Sequence, residues 1–204
     1  MRLNLAVVLA IFALAAPAAA ADYLAVFKTP SGEPVADAVV TIHPAAGGAA
    51  LRIEGPYTVA QRNIAFDPFV VVVPVGADVG FPNKDAVRHH VYSFSAAHPF
   101  ELKLYGKDET RRVKFDRAGI VALGCNIHDQ MIGYVDVVDT PYAVKTDAKG
   151  EAHISGVPAG PATIAVWHPY LKTPQNRIEW KAVIGGVVPP PPALDVRRPP
   201  EKHH

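Results

Sequence analysis

The sequence predicts an all-β protein, and three observations lead there. Beyond the N-terminal segment, no stretch sustains a 3.6-residue apolar period. Apolar residues cluster instead in short β-branched runs bounded by turn residues. Proline, at 20 of 204 residues, is roughly twice its average usage, which leaves little room for long helices.

The chain opens on Met1-Arg2-Leu3-Asn4 and an apolar run ending in small residues before Asp22-Tyr23. One positive charge, a short apolar core and an A-x-A ending make residues 1–21 a secretory signal peptide. The run is shorter than the roughly 20 apolar residues a membrane span needs. The mature product is therefore expected to be exported, in a bacterium to the periplasm, with no membrane attachment once the signal is cleaved. Net charge is +1, with Lys+Arg 20 against Asp+Glu 19, so a sequence-independent grip on nucleic acid is excluded. A single cysteine, Cys125, cannot form an internal disulfide in an oxidising compartment.

The strand runs follow in order: residues 23–27 (YLAVF), 38–42 (AVVTI), 69–75 (FVVVVPV), 90–94 (HVYSF), 100–105 (FELKLY), 120–124 (IVALG), 132–138 (IGYVDVV) and 162–167 (ATIAVW). Spacing of this kind reads as a sandwich or barrel, and the prolines fall at run edges or turns as strand chemistry requires. Residues 23–43 read as strand, turn and strand, the turn being Thr29-Pro30-Ser31-Gly32-Glu33-Pro34. Residues 142–168 read as three strands joined by turns at 146–150 and 157–160. After Trp180 come Gly185-Gly186, four consecutive prolines and a charged end, so residues 183–204 are expected to form a Pro-rich disordered tail.

The strongest chemical signal is Gly124-Cys125-Asn126-Ile127-His128-Asp129-Gln130-Met131. Cys, His and Met recur at three-residue intervals directly after one strand run and before another, on a single loop. Thiolate, imidazole and thioether are a soft N/S set that favours copper over magnesium, calcium or manganese. A further imidazole comes from Arg88-His89-His90-Val91. Adjacent strand residues point to opposite faces, so only one of His89 and His90 can enter the site. Two histidines, a cysteine and a weak axial methionine are the donor set of blue-copper electron-transfer sites.

These residues resemble the cupredoxin family, in the group of plastocyanin, pseudoazurin and amicyanin, over residues 57–139. The Cys-x-x-His-x-x-Met spacing is similar to the short amicyanin form, and Val79-Gly80-Phe81-Pro82-Asn83 to the group's strands leading to an F-x-N-x-D turn before the first ligand. The resemblance implies a Greek-key sandwich binding one copper per chain through His89, Cys125, His128 and Met131. It also implies single-electron transport, with a c-type cytochrome or a periplasmic dehydrogenase as partner. Two departures stand out. His90 occupies the place of an asparagine that ties the ligand strand to the cysteine loop in that group, and Asp129-Gln130 replaces an apolar pair after the second histidine. The axial position is left open among Met131, water and nothing.

Residues 22–56 and 140–182 resemble a carboxypeptidase regulatory-like β-sandwich through Gly32, Pro34, Ala38, Val40, Thr146, Asp147, Gly150, Pro158 and Gly160. The cupredoxin sandwich is then inserted in, or adjacent to, this second small sandwich. That module is non-catalytic in its family. The chain has no G-x-S-x-G elbow, no H-E-x-x-H and no phosphate loop, so no enzyme activity is expected. As a whole the chain is similar to exported methylamine-utilisation and plastocyanin-like proteins. The alternative to electron transfer is copper delivery or storage, or an envelope binding module. His98 reads as a solvated turn residue, His168 as packing, and His203-His204 as a frayed end.

Overall fold

Thr146 and Asp147 show how two distant parts of the chain become one unit. The buried Thr146 hydroxyl accepts the Ala38 N–H at 3.0 Å and donates to the Val35 carbonyl at 2.8 Å. Asp147 Oδ1 accepts the N–H groups of Lys149 and Glu151, closing the turn at Gly150. The strands around this junction form a four-stranded sheet ordered Ala143–Lys145, Val39–Pro44, Gly160–Trp167, Arg177–Ile184. A two-stranded sheet, Ala20–Val26 with Glu151–Pro158, covers it. Between them lies a core including Tyr23, Phe27, Ile42, Ile154, Ile164 and Leu171.

The computed structural model describes residues 19–52 and 54–197. The expected signal peptide, apart from its last three residues, and His203-His204 lie outside them. Ala20 and Ala21, the last two residues of that segment, pair with Pro158 and Val157. Among the described residues there is no α-helix, only a single 3₁₀ turn at Pro174–Asn176, and no helix is long and apolar enough to cross a membrane.

Residues between 57 and 138 build a second sandwich. Its larger sheet runs Val70–Pro74, Ile132–Val138, Gly119–Cys125, His89–Ser93, Phe100–Tyr105, with the first pair parallel. Facing it is a sheet of Thr110–Phe115, Ala77–Pro82 and Tyr57–Thr58. Its core includes Phe66, Phe81, Val91, Phe115, Val121, Leu123 and Val135, and it reaches Cys125 and Met131 at one end. The strand Ile132–Val138 reads as a nearly continuous apolar run because both of its faces are covered. One face enters the core. The other meets the first unit through a cluster of Val39, Val70 and Trp167, with Phe69, Val72, Ile120 and Tyr134 packed against it.

The expectation of disorder over residues 183–204 fails for residues 183–197. Ile184 completes a strand, and Leu194 is fully buried in the first core. The Leu194 N–H donates to the Lys28 carbonyl at 2.8 Å, Val196 bridges to Leu171, and Lys172 pairs with Asp195 at 2.8 Å. Prolines have little backbone freedom left to lose, so one buried leucine and a few hydrogen bonds offset the ordering of this segment.

Candidate metal centre

Strand alternation selects the inward side chains. Along Gly119–Cys125 the buried positions are Val121, Leu123 and Cys125; along His89–Ser93 they are His89, Val91 and Ser93. The two strands pair with Cys125 opposite Val91 and Gly124 opposite Tyr92, which brings Cys125 alongside His89. His90 faces outward, with Nε2 2.9 Å from a Glu101 carboxylate oxygen. After Cys125 the chain turns, the Met131 N–H donating to the His128 carbonyl at 2.9 Å, and this swings the His128 ring back over the cysteine.

The outcome is a group of three donors. Cys125 Sγ lies 3.7 Å from His89 Nδ1 and 3.6 Å from His128 Nδ1, and all three donor atoms lie within 4.8 Å of one another. His89 is fully buried and Cys125 is 3% exposed, while His128 is half-buried. Met131, the fourth residue expected from the sequence, is buried in the same core cluster as Cys125, but the donors that converge are histidine, cysteine and histidine.

The three donors fit a metal ion. An ion bonded to sulfur at about 2.3 Å and nitrogen at about 2.0 Å, with angles of roughly 110–120°, separates sulfur from nitrogen by about 3.5–3.7 Å. The two sulfur–nitrogen distances here match that separation. One thiolate and two imidazoles are soft and borderline donors, the ligand chemistry of copper or zinc.

Two further features hold the site. The asparagine brace replaced by His90 has a backbone counterpart, the Asn126 N–H donating to the His90 carbonyl at 3.2 Å. Asp85, the acidic residue that ends the F-x-N-x-D turn at Phe81–Asp85, places Oδ2 2.8 Å from His89 Nε2 and accepts the N–H groups of Asn63 and Ile64. Burial alone would raise the Asp85 carboxyl, but the hydrogen bonds from Ile64, His89 and Asn63 outweigh it and hold it below its ordinary 3.8. Its sequence signals are its place at the end of that turn and its position four residues before His89.

The remaining histidines are accounted for individually. His98 is not a solvated turn residue: its side chain is only 16% exposed and its ring lies 4.9 Å from that of Phe115. His168 Nδ1 accepts the Tyr170 N–H, and burial pushes its pKa down. His43 pairs with Asp139 and His153 with Asp22, both on the surface.

The all-β fold thus brings a buried cysteine between two histidines in a group that could hold a metal ion. No family profile and no curated protein sequence matches the chain. Among solved structures, it is similar to the copper-containing nitrite reductase NirK of Thermus scotoductus SA-01, at 29% identity over 48% of this chain, with a TM-score of 0.41. The chain spans 26% of that enzyme's length. It is also similar to a purple cupredoxin from Nitrosopumilus maritimus, at 20% identity over 41% of this chain and 100% of that one, TM-score 0.38. A variant of amicyanin matches at 26% identity over 48% of this chain and 98% of that one, TM-score 0.38.

Proposed function

We propose that this chain is an exported type 1 copper protein that carries single electrons in the periplasm. The carrying observation is the convergence of Cys125 Sγ with the Nδ1 atoms of His89 and His128 at 3.7 and 3.6 Å. Bound copper would supply a one-electron Cu(I)/Cu(II) couple. The chain's own part is to keep the donors fixed and dry. His89 and Cys125 sit on paired strands, so little protein movement accompanies a change of charge at the centre. The half-buried His128, beside Ile127 at 47% exposure, is the route by which an electron reaches the surface. Met131, buried in the adjoining core, is the proposed weak axial donor. A c-type cytochrome or a periplasmic dehydrogenase is the proposed partner, and the N-terminal segment is the proposed export signal. The flanking unit is proposed to frame the sandwich through the Trp167–Tyr134 contact, whose ring centroids are 5.5 Å apart.

The test is the visible absorption and electron paramagnetic resonance spectrum of the Cu(II)-loaded protein. An intense sulfur-to-copper charge-transfer band, lost in Cys125→Ser and weakened in His89→Ala, supports the reading. A weakly coloured spectrum unchanged by Cys125→Ser overturns it.

A further inference from the structure

His89 is completely buried, so bulk solvent does not reach its second ring nitrogen. That nitrogen, Nε2, lies 2.8 Å from Asp85 Oδ2, and the Asp85 side chain is itself only 11% exposed. The carboxylate is held from three sides. Oδ1 accepts the Asn63 N–H at 2.6 Å, and Oδ2 accepts the Ile64 N–H at 3.0 Å together with the imidazole. Asp85's own N–H donates to Asn83 Oδ1 at 2.9 Å. Asn83 in turn donates from Nδ2 to the carbonyls of Val87 and Tyr105.

The turn that supplies the two N–H groups is costly in isolation. Asn63 and Ile64 are consecutive non-glycine residues in the left-handed region, at φ 54° and 53°. For a β-branched residue such as Ile64 that conformation is strained and persists only where the surroundings hold it. Two consecutive left-handed residues aim their N–H groups the same way, and here both meet one carboxylate. The turn, the carboxylate and His89 therefore form one connected unit. With Nε2 bearing the hydrogen toward Asp85, the lone pair of Nδ1 is left facing Cys125 Sγ.

We propose that Asp85 is a positioning residue of the metal site: its carboxylate fixes the Nε2–H tautomer of His89, strengthens Nδ1 as a donor, and favours the more highly charged state of the bound ion. This rests on the reading of His89, Cys125 and His128 as a copper site. A carboxylate behind a ligating imidazole raises its basicity, and loss of such a partner weakens metal binding by about 10- to 100-fold.

The test uses the mature full-length chain and its Asp85→Asn and Asp85→Ala variants. In metal-free protein, nitrogen-detected NMR of the imidazoles reads the His89 tautomer without any metal. The expected result is Nε2–H in the wild type, the same in Asp85→Asn, whose side-chain oxygen still accepts, and a mixture in Asp85→Ala. In copper-loaded protein, Asp85→Asn is expected to lose about tenfold more affinity for Cu(II) than for Cu(I). For a one-electron couple that raises the reduction potential by about 59 mV. Asp85→Glu, which keeps the charge, is expected to recover part of that shift. The proposal is overturned if both variants keep the wild-type tautomer and potential, even if their melting temperatures fall, because that is the signature of a purely structural tie. Failure of the copper reading is recognised separately, by a wild-type protein lacking the charge-transfer band; the metal-free tautomer measurement still judges the link between Asp85 and His89.

Discussion

A methyl group on Gly124 would lie 2.7 Å from the ring of Tyr92, its partner across the strand pair. The residue before the metal-facing cysteine is therefore kept bare by a tyrosine lying flat over it. Gly124→Ala is expected to push the Tyr92 ring outward and to cost about 1–3 kcal/mol by overpacking. In a Tyr92→Ala background the same substitution is expected to be nearly neutral. A double-mutant cycle by urea denaturation checks this, and additive single-variant costs would show that the two residues are not coupled.

The Thr146 hydroxyl is the pin between residues 35–38 and the later part of the chain, buried and using both its donor and its acceptor capacity. Thr146→Val keeps the shape and removes both bonds, leaving the Ala38 N–H and the Val35 carbonyl without that partner. Each buried unpaired group costs about 1–3 kcal/mol, so for the two a loss of roughly 2–6 kcal/mol is expected. A variant within about 0.5 kcal/mol of wild type would mean that the backbone hydrogen bonds of Asp37 and Ala38 with Thr146 and the apolar packing hold the two segments without the hydroxyl.

Asp136 gives the protein a specific pH dependence. By strand alternation it shares a face with Tyr134, the face turned toward the first unit. Burial there pushes its pKa from 3.8 up to about 7; Arg177 draws it down and Asp139 adds to the rise. The sign follows from proton binding. Between these two values the folded chain keeps a proton that the unfolded chain has lost, so this group's contribution falls as pH rises and is flat above about 7. The full displacement is worth on the order of 4 kcal/mol. Asp136→Asn is expected to remove that slope, so its stability relative to wild type should improve between pH 4 and 7. Parallel wild-type and variant curves over that range would contradict it. Asp139 runs the other way, its carboxyl held low by the hydrogen bond from His43, which is why the difference between the two proteins is the quantity to measure.

How much of this was legible in the sequence depends on how local each feature is. Alternation put His89 and His90 on opposite faces from their adjacency alone, the resemblance selected His89, and the three-residue spacing put Cys125, His128 and Met131 on one loop. What stayed hidden needs tertiary contact. Asp85 matters because the turn at Asn63–Ile64 comes to it across the fold, and nothing within the Asn83–His89 segment announces that. The strand Thr110–Phe115 has a weak sequence signal because it is a sheet edge, three of its six residues are charged, and only Phe115 is fully buried. His98 was misjudged because its aromatic partner, Phe115, belongs to that same unrecognised strand.

Leu194 carries the last prediction. Composition alone treats the segment after Ile184 as unable to bury apolar surface, yet Leu194 is fully buried among the residues of the first core, and its N–H is tied to Lys28. Leu194→Ala is expected to destabilise by about 2–5 kcal/mol through lost burial and the cavity left behind. Truncation after Gly186 is expected to cost at least as much, because it also removes the Lys172–Asp195 pair and the bridge from Val196 to Leu171. Neither change touches the core that contains Cys125 and Met131. The copper charge-transfer band measured below the melting temperature should therefore be unchanged while the melting temperature falls. An Ala variant as stable as wild type would mean that burial of the Leu194 side chain contributes nothing to the folded state, and a truncated chain as stable as wild type would mean the same of the whole segment after Gly186.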